Sequence, residues 1–262
     1  MTILPWERLS AGGGQQPPVA LTIGVFDGIH IGHQRLLREI ASDPAGASPA
    51  VCSFRQNPGS VLGTRPVAGS ILSLPQKIRK FASFGLRFLV LIDFSAEISR
   101  LTGEDFLAVL ERAFDLRRLV VGYNFHMGRG RATGVGELAS LLDPGRTQLT
   151  VVPAAYHGGR IVSSSRIRES IIHGRFQEAR LMLGGEYCLD LEGLEPETDG
   201  RVARLAGSRV GQVLPAPGSY RAELRGEGRS GTALVEVSSE GISWEPRPGF
   251  RVTEICFTEQ EE

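Results

Sequence analysis

The sequence predicts an α/β fold built on a parallel sheet, followed by a small antiparallel β domain, on three observations. Short apolar runs recur along the first two thirds of the chain and alternate with segments of helical spacing. The first of these runs leads through a glycine-interrupted turn straight into an amphipathic segment, VALTIGVFDGIHIGHQRLLREI (Val19–Ile40). Beyond Glu186, short alternating runs such as Ser219–Leu224 and Thr232–Val237 stand among Gly and Pro, the pattern of antiparallel strands.

Taken in order, residues 1–18 read as a flexible lead-in, because AGGGQQPP (11–18) offers nothing to a core, and the ordered domain is expected from Val19. Val19–Val25 has the length and apolar character of a buried strand, and Leu36, Leu37 and Ile40 give the next segment a helical face. Ala50–Phe54 is a second strand, stopped by Asn57–Pro58. Ser73 with Pro75 starts a helix whose Ile78, Phe81 and Phe84 face inward and which Gly85 closes. Phe88–Asp93 is a third strand. Thr102-x-x-Asp105 is a capping box before a helix carrying Phe106, Leu110 and Phe114 on one side. Leu119–Val121, a helix over Val135–Leu142 and a strand over Leu149–Val152 complete the alternation. Right-handed crossovers then cover both faces of a parallel sheet, and ligands bind at the carboxyl ends of its strands. Four polar clusters lie at such ends and are expected to converge: Phe26–His33, Arg55–Pro58, Tyr123–Arg131 and Ser163–Arg168.

Composition bounds the function. With 262 residues, 41% hydrophobic and 22% charged, the chain can bury a substantial core. Its 29 basic and 29 acidic residues cancel, which argues against a nucleic-acid surface and makes any phosphate affinity local. Cys52, Cys188 and Cys256 are far apart and outside any metal spacing, so neither a disulfide framework nor a zinc site is expected, and a reducing cytoplasm fits. No apolar run approaches the ~18 residues that span a bilayer, and Met1–Ser10 lacks the pattern of a signal peptide. The sequence therefore predicts a soluble cytoplasmic protein with no membrane association.

The glycine turn is the strongest chemical signal. Gly24, Gly28 and Gly32 allow close approach of backbone to ligand, and the following helix start offers free N–H groups and partial positive charge, a combination that binds phosphate. His30 and His33, three apart, share one face of a nascent helix and can aim at the same oxygens. A second phosphate-suited helix start lies at Ser163, Ser164 and Ser165, followed by Arg166 and Arg168. Serine hydroxyls cap such a helix, and a guanidinium offers a planar fork to phosphate oxygens. The alternation does not decide which of the two arginines reaches the ligand.

GVFDGIHIGH resembles the G-x-F-D-G-x-H-x-G-H signature of bacterial FAD synthetases, the bifunctional riboflavin kinase/FMN adenylyltransferases. VSSSRIR is similar to their I-S-S-T-R-I-R motif, with Ser165 in place of threonine, and VVGYNFHMGRGR is similar to their flavin-side loop. HGRFQEARLMLG is similar to the helix pair that ends their first domain. The resemblance implies a Rossmann-like nucleotidyltransferase domain over residues 19–186 and a shortened kinase-like β domain over 187–262. It implies substrates ATP and FMN, product FAD, and magnesium as the ion sharing the triphosphate charge, with metal ligands unassigned.

On that resemblance, Gly24, Phe26, Asp27, Gly28, His30, His33, Ser163, Ser164, Ser165, Arg166 and Arg168 take the ATP side, with His30, His33, Ser164 and Arg168 catalytic. Asp27 either orients the turn or approaches the metal. Phe54, Asn57, Asn124, Phe125 and Arg129 take the flavin side, where the Asn124 amide suits the polar edge of the ring, Phe125 also reads as core, and residues 128–131 form a basic loop.

Two departures matter. The family's F-x-P-H-P reads here as Phe54-Arg55-Gln56-Asn57-Pro58, and Asn57 cannot carry the missing histidine's positive charge, so slower turnover or altered affinity is expected. VLPAPGSYRAEL is similar to a strand of the kinase barrel, but G-F-P-T-A-N is missing, and GSRVGQVL (Gly207–Leu214), which stands roughly in its place, has neither the Thr nor the Asn. The expectation is adenylylation without riboflavin phosphorylation. The alternatives are a flavin- or nucleotide-binding protein that has lost catalysis and a nucleotidyltransferase with another acceptor.

Overall fold

The structure, a computed structural model, describes residues 1–10, 16–61, 69–246 and 249–260. By its contacts the chain divides into two compact units: Met1–Phe26 with Gly32–Pro66 and Ile78–Ala155, and Asp27–Ile31 with Val67–Lys77 and Tyr156–Glu262.

The first unit holds a six-stranded, all-parallel sheet. Its order is Thr2–Pro5, Phe88–Ile92, Ser48–Phe54, Gln16–Ile23, Phe114–Gly122, Gln148–Val152. Strand order reverses on either side of Gln16–Ile23, so the chain leaves the sheet toward Gly24 at a switch point, where open α/β sheets take their ligands. One face packs Val19, Leu21, Ile23, Cys52, Val90, Leu119 and Val121 into the main core with Phe106, Leu110 and Leu138. Alternate residues Ala20, Thr22, Val51, Leu89 and Val120 are equally buried, as a sheet covered on both faces requires. The expected capping box is present: Thr102 Oγ1 accepts from the Asp105 amide at 3.1 Å, and Asp105 Oδ2 accepts from the Thr102 amide at 3.2 Å. That helix stops at Ala113. Phe114, expected on its face, starts the next strand with φ −132°, because Phe114–Gly122 enters the sheet with no turn between.

Order begins earlier than Val19. Thr2–Pro5 pairs in parallel with Phe88–Ile92, and Trp6 stacks on Phe106 with ring centroids 4.6 Å apart. The apolar residues Trp6 and Leu9 make this segment worth burying, although glycines and prolines follow it. Of the proposed lead-in, residues 11–15 lie outside the described residues, and Gln16–Pro18 already belong to the central strand.

The second unit contains a seven-stranded antiparallel sheet in the order Cys188–Asp190, Glu254–Gln260, Gly218–Gly226, Arg229–Val237, Gly241–Trp244, Ala203–Ala206, Glu197–Thr198. The helices Ser164–Ile172 and Phe176–Leu183 belong with it, whereas the sequence suggested a break after Glu186. The reason is aromatic packing: Phe176 stacks on Phe257 at 5.1 Å and meets Tyr220 edge-on at 5.6 Å. Cys188 and Cys256 face each other in paired strands and form a disulfide, which corrects the expectation that the cysteines stay apart. Their spacing of 68 residues hid a pairing that only the sheet register creates. Cys52 is a free, buried core residue.

Glu178 ties the helix pair together, accepting from Arg166 at 2.6 Å, Ser170 Oγ at 2.9 Å and Arg175 Nε at 3.1 Å. The hydrogen bond from Arg166 foremost, with those from Ser170 and Arg175, holds its carboxyl down at about 2, against the opposing effect of burial. A carboxylate with a depressed folded pKa contributes stability that is complete above its unfolded value and is lost as pH falls through the folded one. The thermal midpoint should therefore drop as pH is lowered from 4.5 to about 2. Glu178→Gln should lower the midpoint at pH 7 and flatten that acid decline; an unchanged acid profile in differential scanning calorimetry would remove this role.

Candidate active site

The turn after the central strand is conformationally strained. Phe26 (φ 53°), Gly28 (φ 85°) and Ile29 (φ 41°) all lie in the left-handed region, which costs a non-glycine residue about 1–3 kcal/mol. Surrounding atoms hold it there. Phe26 is buried edge-on against Phe81 and His33, at 5.5 and 5.1 Å between centroids. A Cβ on Gly28 would approach Ile71 and Leu183 at 3.2 Å, a tight contact, and its positive φ strains any other residue, so both favour glycine. The helix begins at Ile31. His30 therefore stands just before it and His33 in its first turn, so the two are not residues of one helix as the spacing suggested. His30 is buried and His33 half-buried.

Asp27 is the junction of the second unit's polar interior. Its Oδ1 accepts from the Ile71 amide at 2.8 Å, its Oδ2 receives a short charge-assisted hydrogen bond from Arg168, and its main-chain oxygen accepts from Ser164 Oγ at 2.8 Å. The first and fourth polar clusters of the sequence thus meet here. Ser163 is the N-cap, with its Oγ accepting from the Arg166 amide at 3.3 Å, while Ser165 is exposed. The two arginines now differ. The Arg166 guanidinium is taken up by Glu178 at 2.6 Å and by the carbonyls of His157 and Arg160 at 2.9 and 3.2 Å. Arg168 alone is directed to the turn, through Asp27.

Three polar groups here escaped the sequence reading. Lys77 is buried, and its ammonium is lowered to about 8 by that burial, against the opposing pull of the Asp27 carboxylate. The available signal was its position four residues before Phe81, on the inward face of its helix. Tyr187 is buried with its hydroxyl donating to the Val213 carbonyl, and burial raises it well above the ordinary phenol range. Gln212 is the third; nothing in its local sequence marked it.

At the carboxyl ends of the first unit's strands stand the residues assigned to the flavin side. Phe54 packs edge-on against Phe94 at 5.9 Å and lines the core. Arg55 pairs with Asp93 at 2.7 Å. Asn57 Oδ1 accepts from the Gly59 amide at 3.0 Å, a local turn contact. Tyr123 and Asn124 are exposed, while Phe125 packs against the core, in keeping with the core reading of that residue. The basic loop forms a 3₁₀ turn over Arg129–Arg131, anchored where the Arg129 amide donates to the Leu101 carbonyl at 2.7 Å, and leaves the Arg129 side chain exposed. No helix among the described residues is long and apolar enough to cross a membrane.

Known proteins resemble this chain over most of its length. An FAD synthetase of Listeria monocytogenes is 31% identical over 232 residues, covering 85% of this chain and 88% of the relative. The bifunctional riboflavin kinase/FMN adenylyltransferase of Bacillus subtilis is 25% identical over 246 residues, covering 89% and 76%. A solved structure, that of a macrolide-efflux protein from Streptococcus pneumoniae, shares the fold, with a TM-score of 0.82 at 21% identity over 100% of this chain and 91% of that one. The family model of FAD synthetase matches residues 14–166, more than half of the chain, and the chain belongs to the FAD synthetase family.

Proposed function

We propose that this protein is an FMN adenylyltransferase that makes FAD from FMN and ATP and does not phosphorylate riboflavin. The observation that carries this reading is the strained turn whose Asp27 binds both Ser164 and Arg168. Family membership makes the protein a nucleotidyltransferase. In the reaction an FMN phosphate oxygen forms a bond to the α-phosphorus of ATP, the bond from that phosphorus to the bridging oxygen breaks, and pyrophosphate leaves with its electron pair. The nucleophile is already an anion, so the protein's work is alignment and neutralisation of charge.

In this reading the N–H groups after Ile31 and Ser163, together with His30, His33, Ser164 and Arg168, receive the triphosphate. Arg168 is preferred to Arg166, whose guanidinium is occupied by Glu178 and two carbonyls. Asn57, Asn124 and Arg129 receive FMN, with Phe54 and Phe125 as apolar backing. Among the described residues no cluster of carboxylates is assembled into a magnesium cage. The grouping of Glu186 with Cys188 and Cys256 has its sulfurs joined, and Asp27 is hydrogen-bonded to Ile71 and Arg168. Magnesium would enter with the nucleotide, as it does where substrate phosphates supply most of its ligands. The reading puts the enzyme in the cytoplasm, with small-molecule substrates and no nucleic-acid or membrane partner.

Purified protein given FMN, ATP and magnesium should release pyrophosphate and form FAD; given riboflavin instead, it should form neither FMN nor FAD. FMN appearing from riboflavin on a chromatogram would overturn the second half of the reading. Binding of FMN and ATP without pyrophosphate would favour a protein that has lost catalysis. His30→Ala with His33→Ala should slow pyrophosphate release by at least about 100-fold while circular dichroism stays native, the loss expected when preorganised charge stabilisation is removed. Asn57→His should raise turnover or lower the Michaelis constant for FMN, and identical steady-state constants would show that a neutral amide suffices there.

A further inference from the structure

The segment that stands where the family's kinase motif is missing is not idle. Gln212 is buried, and its carboxamide is saturated: Oε1 accepts from the Asp190 amide at 2.7 Å, while Nε2 lies within 3.0–3.1 Å of the Cys188 carbonyl, the Ile71 carbonyl and Gln76 Oε1. Around it the backbone forms a two-residue parallel bridge. The Ser70 amide donates to the Gly211 carbonyl at 2.9 Å, and the Val213 amide donates to the Ser70 carbonyl at 3.0 Å. Gly69 (φ 76°) permits the approach, since a Cβ there would lie 2.3 Å from the Gln212 carbonyl carbon. Gln76 extends the network, donating from Nε2 to the Cys188 carbonyl at 3.0 Å and accepting at Oε1 from the Ser73 amide at 3.1 Å.

We propose that Gln212 is a positioning residue for the triphosphate site: it fixes Ser70–Ile71, whose amide orients the Asp27 carboxylate, which in turn aims Arg168. The inference rests on the reading of Arg168 as a triphosphate ligand. Asp27 can present Oδ2 to Arg168 in one orientation only while Oδ1 is held by the Ile71 amide. That amide is held in turn by its own peptide's neighbours, the bridge on one side and the Gln212 side chain on the other. A buried network satisfied at every member transmits position because any displacement leaves a polar group unpaired. The β unit thereby serves adenylyl transfer with the stretch that would otherwise have belonged to a second reaction.

The test is a double-mutant cycle of Gln212→Met and Arg168→Ala, read as ATP affinity by calorimetry with Mg·ATP and as Michaelis constants in the pyrophosphate assay. Gln212→Met alone should weaken ATP binding about tenfold, leave the Michaelis constant for FMN unchanged, and add almost nothing in the Arg168→Ala background, the signature of two residues acting as one. Equal losses in both backgrounds, or equal shifts for ATP and FMN, would reduce Gln212 to general stability and overturn the proposal. If Gln212→Met does not fold, Gln212→Glu carries the same cycle, since it keeps the size and the acceptor for Asp190 but loses the donors to Ile71 and Cys188. Wild-type protein that binds ATP but releases no pyrophosphate would refute the adenylyltransferase reading, while the binding cycle would still decide Gln212.

Discussion

A buried carboxylate must be answered by polar partners, and Asp27 is answered from two distant parts of the chain, Ile71 and the helix Ser164–Ile172. An amide from Ile71 and a guanidinium from Arg168 reach the carboxylate across separations of 44 and 141 residues, and the Ser164 hydroxyl donates to the main-chain oxygen of the same residue across 137. Removing a single partner from such a pair typically costs about 3–5 kcal/mol, because the remaining charge stays out of water. Asp27 is therefore less a ligand than a keystone. Its hydrogen bonds to Ile71 and Arg168 show the turn-orienting half of the two roles expected of it.

The strain next to it has the same logic. Left-handed Phe26 and Ile29 persist only because their side chains are buried and the intervening Asp27 is fixed. Burial of two apolar side chains contributes on the order of 1.5–3 kcal/mol each, which matches the conformational cost. The result is a backbone preorganised before any ligand arrives, with a histidine on each side of the helix start.

Much of this was legible beforehand. The sheet, its alternating helices and the Thr102–Asp105 capping box follow from periodicity and local hydrogen-bond chemistry, which are properties of short windows of sequence. His30, His33, Ser164 and Arg168 stand in motifs that carry their own geometry. What stayed hidden depends on long-range register. Cys188 and Cys256 are neighbours only because two strands pair antiparallel, and Gln212 is buried only because Ser70 runs beside it. The pairing of Arg166 with Glu178 was equally invisible, since the two lie twelve residues apart on successive helices. The edge strand at Thr2–Pro5 was missed because four residues before a glycine-rich stretch carry no period of their own.

The long separations around Asp27 also set an order of events during biosynthesis. The glycine turn leaves the ribosome first, yet the groups that hold its carboxylate arrive up to 141 residues later. At ordinary rates of synthesis that is a delay of roughly 7–28 s, far longer than local structure needs to form. A nascent chain can thus build much of its parallel sheet while this turn remains unfinished, and the Asp27 contacts are completed only once Arg168 has been made.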